Sequence, residues 1–161
     1  MKQFFLVFSI IVSSAVVNAE TIASCSGVKG YSFYQNLGSF SDKKSSGWDE
    51  DQITEGKTSV IRNDDGFDIL FVDALGDINS LKDQGAKIQL LLIGQSSFAL
   101  SSTFLGSQIE IYNFWQTNDG DLEYSITQVK GEISLLPKHS LLIGKCDSLK
   151  FSWMNEFFDE S

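Results

Sequence analysis

Ile109-Glu110-Ile111-Tyr112-Asn113-Phe114-Trp115-Gln116-Thr117 leads through Asn118-Asp119-Gly120-Asp121 into Leu122-Glu123-Tyr124-Ser125-Ile126-Thr127-Gln128-Val129. Both flanks are rich in aromatic and β-branched residues, which fit a pleated surface, and the link between them is made of turn formers. The stretch therefore reads as a β-hairpin. Strand alternation puts Ile109, Ile111, Asn113 and Trp115 on one face and Glu110, Tyr112, Phe114 and Gln116 on the other. Bulky side chains stand on both faces, so either the sheet is covered on both sides or one face lines a cavity or a partner surface. No helical period competes with this reading.

The same pattern extends in both directions. Residues 86–93 and 98–104 flank Gly94-Gln95-Ser96-Ser97, and residues 57–62 and 67–73 flank Asn63-Asp64-Asp65-Gly66. Residues 133–136 and 140–146, around Pro137-Lys138-His139, read as a last hairpin, and residues 28–35 as a first strand. With 13 Gly and one Pro, turns depend on Gly, Asn, Asp and Ser. The expectation is an all-β domain, a single antiparallel meander of about eight strands closed into a barrel, with a β-sandwich as the alternative. Two regions depart from it. Residues 36–56 read as a long polar loop around Trp48, placed to act as a lid. Residues 149–161 carry Leu149, Trp153, Met154, Phe157 and Phe158 at helix-like spacing and read as an amphipathic tail, a short helix or an extra strand.

The chain opens as an export signal. Lys2 precedes an apolar run from Phe4 to Val12, and Val17-Asn18-Ala19 suits signal peptidase, giving cleavage between Ala19 and Glu20. The run fades at Ser13-Ser14, short of the roughly 20 apolar residues a spanning helix needs, so no transmembrane span is expected after cleavage. This divides the chain into a signal peptide (1–19), a β-rich domain (20–148) and the tail (149–161). A periplasmic or extracellular location follows. The alternative is a lipoprotein acylated at Cys25, suggested by Ile22-Ala23-Ser24-Cys25 but separated from the apolar run by Glu20 and Thr21.

Export gives the two cysteines, Cys25 and Cys146, a reason to pair. Closing a loop of that length is worth roughly 4.7 kcal/mol in the chain-entropy model. It also requires the first and last strands to meet. The 12 basic and 21 acidic residues give a formal charge of −9, which repels phosphate backbones and argues against nucleic acid as a partner.

Chemistry-bearing residues are sparse. His139 is the one histidine and has no nucleophile elbow or metal-ligating companions, so no catalytic residue, metal or cofactor is assigned. Asp68 and Asp73 stand in an apolar strand, and a buried carboxylate there must be paired. The aromatics carry the remaining hint. Tyr31, Phe33, Trp48, Phe71, Asp73 and Trp115 are the candidate ligand-binding residues. The leading expectation is a non-enzymatic exported domain that binds a small apolar ligand or a protein partner in the cell envelope. The alternatives are a carboxylate-dependent hydrolase and an envelope interaction protein without a pocket.

One resemblance accompanies this reading. Cys25-Ser26, Gly30-Tyr31-Ser32-Phe33-Tyr34, Asp68-Ile69-Leu70-Phe71-Val72-Asp73-Ala74, Ile109-Glu110-Ile111-Tyr112-Asn113-Phe114 and Ser140-Leu141-Leu142-Ile143-Gly144-Lys145-Cys146 together resemble a group of small exported proteobacterial proteins. The resemblance implies export, a bacterial source and the Cys25–Cys146 pairing, and it carries over no active site. In architecture alone the expected barrel is similar to the lipocalins and calycins. Their Gly-x-Trp near the first strand is absent, and Gly30-Tyr31-Ser32 stands there instead.

Overall fold

The computed structural model describes residues 19–37, 46–72 and 76–158. Its strands are β1 (Glu20–Tyr34), β2 (Gly47–Asn63), β3 (Gly66–Val72), β4 (Ile78–Ser80), β5 (Lys87–Ile93), β6 (Ser97–Phe104), β7 (Gln108–Gln116), β8 (Leu122–Lys130) and β9 (Lys138–Leu149). A short 3-10 helix, Ser152–Phe157, follows. All nine strands lie in one antiparallel sheet ordered β4-β3-β2-β1-β9-β8-β7-β6-β5. Strands β1 to β4 and strands β5 to β9 each pair with their neighbours in sequence, β4 and β5 do not pair, and the terminal strands β1 and β9 pair with each other. The sheet curls into a half-barrel whose edge strands are β4 and β5. With only three residues, β4 offers little free backbone to a foreign strand.

The β1–β9 seam joins the two wings of the sheet. Cys25 and Cys146 are register partners across it and form a disulfide. Here the strands pack backbone on backbone. A Cβ on Gly30 would lie 2.0 Å from the Leu141 carbonyl oxygen, and one on Gly144 2.3 Å from that of Gly27. Glycine at both positions lets the sheet curl without a gap.

The decisive hairpin forms as β7 and β8, with Phe114 opposite Tyr124 and Tyr112 opposite Ile126. Its two faces are unequal. Glu110, Tyr112 and Phe114 are buried in the concave face, while Ile109 and Ile111 are exposed on the outer one. Other expectations shift. β2 starts at Gly47, so the polar run Gly47-Trp48-Asp49-Glu50-Asp51 is strand and not loop, because β1 supplies a partner edge from Tyr34 back to Val28. Residues 133–136 form no strand. Lys138 pairs directly with Lys130, leaving Ile133, Leu135 and Leu136 exposed in the loop before β9. His139 lies on β9, where its Nε2 shares a hydrogen bond with the Gln35 side chain at 2.7 Å. Asp68 caps the β3–β4 connection, accepting hydrogen bonds from Ser80 Oγ at 2.6 Å and from the Lys82 amide at 3.2 Å.

The tail enters the core. The Lys150 amide donates to the Ile22 carbonyl at 2.9 Å, and Lys150 Nζ pairs with Glu20 at 3.0 Å, which fixes the tail to the start of β1. Trp153 and Met154 are buried, while Phe157 and Phe158 stay exposed. The Trp153 ring meets Phe67 and Phe98 edge-on, both at 5.3 Å between centroids, with the Arg62 guanidinium over it at 5.5 Å. Arg62 also pairs with Glu156 on the helix.

Candidate functional site

Register determines what faces the hollow of the half-barrel. Toward the end where β6, β8 and β1 finish, one inward row reads Ser102, Glu110, Gln128, Ser140 and Ser32 across β6, β7, β8, β9 and β1. The next row outward reads Phe104, Gln108, Lys130, Lys138 and Tyr34 on the same strands. The row beneath is Leu100, Tyr112, Ile126, Leu142 and Gly30. Polar side chains thus converge at one end of the hollow, above an apolar floor.

They enclose a cavity of about 470 Å³. Its apolar wall includes Val28, Phe71, Leu81, Phe104, Ile126 and Leu142, and its polar end Asp51, Gln108, Glu110, Gln128, Lys130 and Lys138. Four strands, β2, β7, β8 and β9, contribute these polar residues, so the geometry of that end is set by the sheet and not by loops.

Three of the four charged groups at this end are committed. Glu110, only 5% exposed, accepts hydrogen bonds from Tyr112 Oη at 2.7 Å, Gln108 Nε2 at 2.8 Å and Gln128 Nε2. Such a set of donors is what a buried carboxylate needs. Burial raises the Tyr112 hydroxyl well above its ordinary pKa, and the charge and hydrogen bond of Glu110 raise it further. Lys138 Nζ pairs with Asp51, and Ser32 Oγ donates to the same Asp51 oxygen. Because Ser32 gives its proton to Asp51, the 2.7 Å contact between Ser32 and Ser140 has Ser140 as donor. Burial pushes the Asp51 carboxyl up, but the hydrogen bonds from Lys138 and Ser32 outweigh it and hold the group below its ordinary range.

Lys130 is different. It is partly buried, and its ammonium makes no hydrogen bond or ion pair among the described residues. Burial pushes its pKa down and the Lys138 charge adds to this, with Glu110 and Asp51 in partial opposition.

The six residues proposed from the sequence separate in space. Phe71 lines the cavity. Tyr31, Phe33 and Trp48 lie on the outer face, where Phe33 and Trp48 meet edge-on at 5.4 Å and Trp48 is 72% exposed. Trp48 is therefore no lid over the hollow. Tyr31 instead borders a wider, shallower groove with Lys29, Glu50, Gln52, Ile143 and Lys145. Trp115 alternates with buried Phe114 and also faces outward, and Asp73 lies outside the described residues. Missed in the sequence were Gln108, Glu110, Gln128, Lys130 and Lys138. The one available signal was Glu110, a charge in the same alternating row as Tyr112 and Phe114.

No family model, curated protein or solved structure matches the chain. Among the described residues no three His, Cys, Asp or Glu side chains gather to hold a metal, and no helix is long and apolar enough to cross a membrane.

Proposed function

We propose that the protein is an exported binding domain that takes a small, largely apolar molecule into the concave cavity. The observation that carries this is the cavity itself. At about 470 Å³ it falls within the range of small-molecule sites, and its apolar wall with polar groups gathered at one end is the usual composition of such sites. A hydrolase is less well supported, since the carboxylates of Glu110 and Asp51 are both engaged by hydrogen-bond donors of the protein itself.

Export is supported by the disulfide, by the signal-like residues 1–19 and by the start of β1 at Glu20. Cys25 is buried and bonded to Cys146, which favours the soluble form over a lipoprotein acylated at Cys25. An intact mass that begins at Glu20 and lacks two hydrogens is the expected product, and acylated protein beginning at Cys25 would refute it.

Binding is tested by titrating the oxidised protein with the neutral fluorophore N-phenyl-1-naphthylamine. We expect saturable enhancement at one site, lost when Ile126→Trp fills the floor and kept in Trp48→Ser on the outer face. An enhancement absent from the wild type, or unchanged by Ile126→Trp, would remove the reading.

A further inference from the structure

The residues around the cavity identify the charge of what it holds. Across the whole chain acids outnumber bases and the formal charge is −9, yet the cavity is lined by Lys57, Lys130 and Lys138 against Asp51 and Glu110. An acidic molecule thus places one more lysine than carboxylates around its concave cavity.

At the polar end two lysines face two carboxylates, and one of the four charged groups is left without a hydrogen bond or ion pair among the described residues. Glu110 is held by its donors, and Asp51 and Lys138 neutralise each other. The Lys130 ammonium remains without a direct hydrogen bond or ion pair among the described residues, beside Lys138 in register and within the same cavity wall. A partly buried ammonium without a partner is costly, and a charge-assisted hydrogen bond from an incoming anion is the interaction this position lacks. A cationic ligand would meet repulsion from Lys130 and Lys138. A dianionic phosphate would bring two negative charges to an end that already holds two carboxylates, Asp51 and Glu110. A singly charged carboxylate supplies the acceptor that Lys130 lacks with the least added negative charge.

We propose, on the basis of the binding function above, that the ligand is an amphipathic monocarboxylate: its carboxylate on Lys130 Nζ and its apolar body along Val28, Ile126 and Leu142. Lys130 is then the residue that selects the head group, and the apolar wall accepts any body of suitable size. Binding also brings the missing negative charge to Lys130, which favours its protonated form.

The test keeps the apolar body constant and changes the head. Octanoate, octanol and octylammonium are titrated into the oxidised full-length exported protein by calorimetry at neutral pH. Octanoate should bind about tenfold or more tighter than octanol, the effect expected of one charge-assisted hydrogen bond, and octylammonium weakest. In Lys130→Gln the octanoate advantage should vanish while octanol affinity is retained, which also shows that the variant is folded. Lys130→Arg should keep the preference for the acid. Equal affinities for octanoate and octanol in the wild type, or a preference surviving in Lys130→Gln, would overturn the carboxylate assignment and leave the cavity reading in place. No saturable binding of any of the three would overturn both.

Discussion

The two ends of the concave face are built from the same strands and filled in opposite ways. At one end the inward row Phe98, Phe114 and Tyr124 is stacked, at 4.8 Å and 5.9 Å between centroids, and the tail covers this end with Trp153 and Met154. At the other, two residues further along each strand beyond Tyr112 and Ile126, the inward positions are Glu110 and Gln128, and a cavity remains. The filled end gains from dispersion and removal of apolar surface from water. The open end requires hydrogen bonds for every polar group it shelters, and among the described residues Lys130 and the buried Ser102 hydroxyl have none. This difference shows where stability resides and where a ligand has room. The C-terminal residues belong to the stability side, so removing residues 149–161 would strip the core of Trp153 and Met154 and not merely shed a surface appendage.

The largest expected effect breaks the filled end. Trp153→Ala should cost about 3–5 kcal/mol, the range for truncating a buried aromatic whose site cannot collapse. Urea unfolding followed by circular dichroism would read this as a lower midpoint with little change in slope. A loss below about 1 kcal/mol would show that the tail contributes no more than an ordinary surface segment.

A second prediction addresses the open end through its ion pair. Asp51→Asn should destabilise by about 1.5–3 kcal/mol at neutral pH, because Lys138 keeps its charge and loses its carboxylate. The pH dependence gives a sharper signature. The folded-state pKa of Asp51 is held below its ordinary value of 3.8, so its contribution is complete above that value and is lost as pH falls through the lower folded value. The wild type should therefore approach Asp51→Asn in stability under acid and separate from it again on neutralisation. Parallel acid titrations of the two proteins would contradict the linkage.

The filled end was far more legible in the sequence than the open one, for physical reasons. The β7–β8 hairpin is written locally: alternation on each side of Asn118-Asp119-Gly120-Asp121 is enough to pair the strands. The two cysteines add the long-range fact that β1 meets β9. The first half of β2 has no such local mark. Trp48, Asp49 and Glu50 look like loop residues, and they become strand only because Phe33, Ser32 and Tyr31 lie opposite. Residues 133–136 mislead the other way, since their apolar character reflects an exposed loop and not a paired strand. The candidate site is the extreme case. Asp51, Glu110, Lys130 and Lys138 come from β2, β7, β8 and β9, and only the register of the curled sheet brings them together. Nothing in the spacing of those residues announces a cluster. Aromatic content points instead to Tyr31, Phe33 and Trp48, which lie on the outer face.

The smallest predicted effect has the opposite sign. If the open end is kept for binding, the group that binds should hold the fold below its attainable stability. Lys130 fits that description: its ammonium is partly buried, has no hydrogen-bond or ion-pair partner among the described residues, and faces the like charge of Lys138. Lys130→Met keeps the length of the side chain, removes the charge and offers the cavity wall another apolar surface. It should raise stability by about 0.5–2 kcal/mol, the usual scale of a single stabilising replacement. The comparison is most direct at neutral pH and low salt, where the repulsion from Lys138 is least screened. Added salt should narrow the gap between the two proteins by screening that repulsion in the wild type alone. A destabilised Lys130→Met would mean that the ammonium is already compensated in the free protein, and the contrast between a filled end built for stability and an open end built for binding would fail at the residue on which it depends most.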